Sequence, residues 1–219
     1  MDYQKVTVDY LEGRISPAEF EEMVETDDAL YAWFQNIVPS KMTCCVYDPV
    51  TWKQKSVPYD IRIVFKNHER LDHGGPKGSV AYHYYLQLEI AKLIRGAFPD
   101  LVFVMDKRLQ RMNALRFDCC PSYIGGAEVA KYNILGELIE SIPLEWSITK
   151  QKKVLKNRIK EAFHITGREY PHWIQSPEWP VSNGKPMKYI KTTKVNPEYV
   201  QHHFVDTDSK EERIVDDFY

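Results

Sequence analysis

The sequence predicts an α+β fold: a mainly helical body closed by a small C-terminal antiparallel β element. Three observations lead there. Between residue 16 and residue 163, apolar side chains recur at helical spacing behind serine and aspartate caps. After Gly167 the pattern changes to short alternating runs separated by prolines and an Asn-Gly pair. The composition, 43% hydrophobic and 27% charged with a net charge of -2, is that of a globular chain and excludes a polybasic coat or a polyacidic tail protein.

The elements follow in order. Val6 to Tyr10 is rich in β-branched residues and predicts a short extended run. Ser16-Pro17-Ala18-Glu19 forms a capping box with proline at the first helical position, so a helix starts at Pro17 and carries Phe20, Met23 and Val24 on one stripe. Thr26 with Asp27 and Asp28 caps a second helix through Leu30, Trp33, Phe34 and Ile37, which Pro39 ends. Residues 1–40 thus predict a helical hairpin, and it is acidic: nine Asp and Glu stand against Lys5 and Arg14, a local charge of -7.

Lys41 to Val57 predicts a loop or short strand. Ile61, Val64, Phe65, His68 and Leu71 then repeat helically until Gly74-Gly75-Pro76. Val80 to Phe98 is apolar over more than half its circumference and predicts the central buried helix, with Ser79 as its cap. Leu101 to Met105 reads as a strand, Asp106 to Phe117 as a helix, Pro121 to Gly126 as a turn, and Ala127 to Ile142 as one further helix. Ser147 to Phe163 closes a helical body that spans residues 41–165. The remaining 166–219 form a Pro/Trp-rich tail with alternating runs at Met187 to Ile190, His203 to Val205 and Arg213 to Val215. Asp206-Thr207-Asp208-Ser209 supplies the turn between the last two.

No run approaches the ~18 apolar residues of a membrane span, and the first residues lack a basic start followed by an apolar core, so a cytoplasmic protein is expected. The cysteines fall as neighbours, Cys44-Cys45 and Cys119-Cys120, a spacing that suits reduced packing thiols better than a zinc site. Gly74-Gly75-Pro76-Lys77-Gly78-Ser79 lacks the order of a phosphate loop and reads as a break between helices. Residues 150–194 hold eleven Lys and Arg against three acids, but the lysines of 150 to 160 point all round their helix, which favours a solvated surface over a nucleic-acid groove. His68, His73, His83 and Glu89 form the local group of possible metal ligands, without an HExxH spacing.

The most distinctive stretch is WIQSPEWPVSNGKPMKY, from Trp173 to Tyr189, which fixes Trp173 and Trp179 between prolines ahead of an Asn-Gly turn. With the closing FVDTDSKEERIVDDFY it resembles the tail of uncharacterised bacterial cytoplasmic proteins that include immunity proteins of polymorphic toxin systems. That resemblance covers about the last quarter of the chain and implies a non-enzymatic protein that binds a toxin domain and occludes it. No catalytic residue, metal or cofactor is carried over with it. The expected partner surface is the acidic hairpin, through Glu19, Glu21, Glu22, Glu25, Asp27 and Asp28, together with Trp173 and Trp179, facing a protein partner such as a basic toxin domain. The alternative expectation is a metal-assisted hydrolase built on His68, His73, His83 and Glu89.

Overall fold

A computed structural model describes residues 1–47, 53–67 and 79–219. It is α+β, with nine helices and seven strands among the described residues. The chain divides into two compact units, Met1–Asn113 and Ala114–Tyr219.

The first unit opens with α1 (Tyr3–Leu11), capped by the Asp2 carboxylate on the Lys5 N–H. The extended run expected there is a helix, because Thr7, Tyr10 and Leu11 are buried together at a spacing only a helix gives. Helix α2 (Pro17–Thr26) begins with the predicted capping box, Ser16 accepting from Glu19 N–H and the Glu19 carboxylate accepting from Ser16 N–H. Asp27 caps α3 (Asp28–Ile37) through the N–H groups of Ala29 and Leu30. Strands β1 (Thr43–Tyr47) and β2 (Gln54–Pro58) pair antiparallel, and α4 (Ile61–Asn67) follows. Helix α5 (Val80–Ala97), capped by Ser79, buries nine residues and is the central element the apolar pattern predicts.

Tyr10 and Phe20 stack at 4.0 Å in the middle of this unit, with Phe34 and Phe65 against Phe20. Leu101 to Met105 is not a strand. Its side chains alternate as a strand's would, Phe103 and Met105 buried and Val102 and Val104 exposed. But no strand pairs with it; Val104 N–H goes to the Glu12 carboxylate and Asp106 N–H to Leu11 C=O. Helix α6 (Lys107–Cys119) contains the division between the units.

In the second unit the helix expected over 127–142 is two, α7 (Ala127–Lys131) and α8 (Ile134–Glu140). Asn133 between them adopts a left-handed φ of 47°, and its side chain fills the space where a Cβ on Gly136 would sit. Helix α9 (Ile148–Ala162) is capped by Ser147 and buries Gln151, Leu155 and Ile159. Strands β3 (Val181–Ser182) and β4 (Lys185–Pro186) are joined by Asn183 and Gly184, both at positive φ, as an Asn-Gly hairpin turn requires. Strands β5 (Lys188–Asn196), β6 (Tyr199–Val205) and β7 (Glu212–Phe218) form an antiparallel sheet in that order. Asp206 closes the last turn, its carboxylate accepting from the N–H groups of Asp208 and Ser209.

Candidate functional site

Register divides the C-terminal sheet into two faces. His202 and Phe204 are buried, and Thr192, Tyr189, Val215 and Arg213 stand beside them on the same side. The alternate residues therefore face outward. Lys191, His203 and Ile214 make one outward row, Thr193, Gln201 and Asp216 the next, and Asn196, Tyr199 and Phe218 the row at the β5–β6 turn. Ile214 is 50% exposed and Phe218 55%, in a face that otherwise carries polar side chains.

The outer face is ordered by its own hydrogen bonds. Asp216 accepts from the Tyr199 hydroxyl at 2.6 Å and from Gln201 Nε2 at 3.1 Å, and these bonds hold its carboxyl below the usual range. The Thr193 hydroxyl lies 3.0 Å from His203 Nε2. On this face Lys188 and Lys191 stand on β5 and Glu212 and Asp216 on β7, with Asp216 between Ile214 and Phe218.

The inner face locks the sheet. His202 is fully buried, its Nε2 3.3 Å from Asp217 Oδ2 and its Nδ1 2.8 Å from Thr192 Oγ1. Asp217 also accepts from the backbone N–H groups of Ile174 and Gln175. A carboxylate on Nε2 fixes the proton there, so Nδ1 accepts from Thr192, which in turn accepts from the Tyr189 hydroxyl at 2.7 Å. Burial lowers the His202 pKa against the opposing pull of Asp217, so the ring is neutral at pH 7. Hydroxyl, imidazole and carboxylate in line suggest a catalytic relay. Here, however, the imidazole meets no solvent, and the Thr192 hydroxyl is engaged on both sides. The chain of bonds ties β5, β6 and β7 to residues 173–175.

Both tryptophans of the tail join this framework. Trp179 is 1% exposed, donates from Nε1 to Met187 C=O at 2.8 Å, and meets Phe163 and Phe204 edge to face. Trp173 donates to Tyr123 C=O at 2.9 Å and lies 4.4 Å from the His202 ring. Trp179 therefore has no face to offer a partner, and Trp173 is half-buried. Glu128 adds a clamp, taking the Arg213 guanidinium in a bidentate pair and the Val181 N–H.

The acidic hairpin is also largely committed to its own fold. Glu19 and Asp27 are caps, Glu21 is 8% exposed beside the Tyr82 hydroxyl, and Asp28 holds Arg62 at 2.8 Å. Arg62 in turn lies 4.2 Å over the Tyr31 ring and donates to Val24 C=O, which joins α4 to α2 and α3. Glu22 and Glu25 remain on the exposed side of α2.

His68, His73 and the Gly74 to Gly78 break lie outside the described residues. His83 and Glu89 are both half-buried on α5, six positions and therefore roughly 120° apart around it, so they do not share one ligand face. Among the described residues no group of three His, Cys, Asp or Glu could hold a metal ion. The four cysteines are free, and burial pushes the Cys120 thiol up to about 11. The basic residues of α9 diverge: Lys150 lies over Trp146, Lys152 pairs with Asp118, and Arg158 donates to Ser141. Lys160 alone among them shares a cavity with Lys188 of β5. No described helix is long and apolar enough to cross a membrane.

Comparison with protein-family models, with curated proteins and with solved structures finds no match to this chain.

Proposed function

We propose that this chain is a cytoplasmic binding protein that docks a protein partner on the outer face of its C-terminal sheet. The observation that carries the reading is the outward face of that sheet, where Ile214 stands half-exposed beside His203 and, two rows on, Phe218 beside Tyr199. Exposed apolar and aromatic groups interspersed with hydrogen-bonded polar side chains suit a protein interface. The inner face supports the reading too, because Trp179, Phe204 and the His202–Asp217 bond hold the strands rigid, and a preorganised face loses less entropy on binding. The resemblance of the tail to immunity proteins gives the biological form: occlusion of a toxin domain by steric cover. Glu22 and Glu25 would then act as steering charges for a basic partner, and the sheet as the contact.

Affinity capture from the source cells tests the reading with two folded variants. The wild-type chain should retain one stoichiometric partner, Ile214→Asp with Phe218→Asp should lose it, and Glu22→Lys with Glu25→Lys should keep it with slower association. Retention by the sheet variant, with circular dichroism unchanged, would overturn the assignment.

A further inference from the structure

The C-terminal end of α9, Lys188 of β5 and Thr207 line an open cavity of about 530 Å³ within the second unit, and Lys188, paired with Val205, stands one row beyond Lys191, His203 and Ile214 on the outer side of the sheet. Asn157, Lys160, Glu161, His164, Lys188 and Thr207 line it, above Ile165. We propose that this cavity is a binding site for a small phosphorylated molecule. Three features point to that chemistry.

The first is charge. Neither Lys160 nor Lys188 has an ion pair among the described residues, and Glu161 is the one carboxylate in the lining. Of the carboxylates flanking Thr207, Asp208 is paired with Lys185 at 2.7 Å, whereas hydrogen bonds from Ser182 and from the backbone of Ser209 and Asp208 hold Asp206 ionised, at about 2. Two lysines with hydroxyl and amide donors between them are a receptor for a multiply charged oxyanion.

The second is the helix end. An α-helix C-terminus normally repels anions through its open carbonyls. Here Ile165 N–H bonds to Lys160 C=O at 2.8 Å and His164 N–H to Glu161 C=O at 3.1 Å, a Schellman closure that occupies these two carbonyls.

The third is His164 itself, at φ 53° in the left-handed position where that closure normally takes glycine. A β-carbon there is strained, and the closure uses only the backbone N–H, which glycine would supply equally. What it brings is an imidazole in the cavity wall. Size completes the argument, since the volume fits a small ligand, while the pairing of Lys152 and Lys185 with carboxylates interrupts any continuous basic strip for a nucleic-acid strand.

Isothermal titration of the full chain with inorganic phosphate and with adenosine monophosphate, at fixed ionic strength, tests the proposal. Saturable millimolar or tighter binding is expected for both, weakened about fivefold by either Lys160→Gln or Lys188→Gln. Both lysines are exposed, so these variants should fold normally. His164→Gly separates ligand binding from architecture: it should raise the thermal midpoint by relieving the strain while weakening phosphate binding. Absence of saturable binding, binding unchanged in the double lysine variant, or binding of a single-stranded oligonucleotide alone would each overturn the proposal. Phe218→Asp, at the other end of the outer face beside Tyr199, should leave phosphate binding intact, so this outcome is read separately from the docking test.

Discussion

Trp179→Ala should be among the most damaging substitutions in the second unit. The indole is 1% exposed, and truncation removes its packing on Phe163 and Phe204 and its hydrogen bond to Met187 C=O. Large-to-small changes of a buried aromatic cost about 3–5 kcal/mol, including the cavity left behind. Trp179→Phe keeps much of the ring packing but abandons the Met187 carbonyl, at about 1–2 kcal/mol. Because the chain has two units, one global unfolding curve would mix their transitions. Native-state hydrogen exchange is the better assay, read at the amides of β6. At about 1.4 kcal/mol per factor of ten, Trp179→Ala should lower protection there by two to four powers of ten, and Trp179→Phe by about one. Protection in α2 and α5 should not change. A loss of less than tenfold for Trp179→Ala would refute the placement of this ring in the core.

Two further expectations concern the same unit. Burial lowers the folded-state pKa of His202, so the unfolded chain takes up this proton first as pH falls below about 6.5, and stability declines from there downward. Hydrogen-exchange protection factors at the β6 amides should therefore differ between pH 7.5 and 5.0 in the wild type, and His202→Gln should reduce the difference; an equal pH dependence in the variant would contradict the neutral buried imidazole. Gly126 has φ 109°, and a Cβ there would lie 2.8 Å from the Glu178 Cα, so Gly126→Ala should destabilise by about 2 kcal/mol or more. A change under about 0.5 kcal/mol in the opening free energy read by the same exchange measurement would show that the approach of residues 177–178 to this turn is not tight.

Local chemistry made much of the fold legible. The capping box at Ser16, the caps at Ser79 and Ser147, the apolar circumference of α5 and the Asn183-Gly184 turn are short-range signals, and each appears in the structure as the residues require. The misreadings came where a tertiary partner decided the outcome. Val6, Thr7 and Val8 favour a strand by propensity, yet burial of Thr7, Tyr10 and Leu11 against the core makes a helix. Leu101 to Met105 alternates like a strand but finds Glu12 and Leu11 in place of a ladder. Asn133 breaks 127–142 because its side chain occupies the space over Gly136, a signal visible only once both are placed.

The candidate site was less legible for a related reason. Which residues of β5 face outward depends on irregularities at Ile190 and Val195, and a one-residue slip exchanges the two faces of a strand. The tryptophans drew attention to the tail, but their Nε1 groups find backbone carbonyls and so become part of the support. The alternation in HHFV and RIVDDF carried the signal for His202 and Asp217, one strand apart. That Lys160 and Lys188 line one cavity depends on how β5 is placed beside α9, and the sequence shows only His164 at the helix end where glycine is usual.

The most direct test of the docking face is site-specific photo-crosslinking in the source cells, with a benzophenone side chain placed at Ile214 in one variant and at Glu22 in another. The account predicts one discrete covalent adduct from position 214, lost when Phe218→Asp is added, and little or none from position 22. An adduct formed at position 22 and absent at 214 would contradict it and return the partner surface to the acidic hairpin.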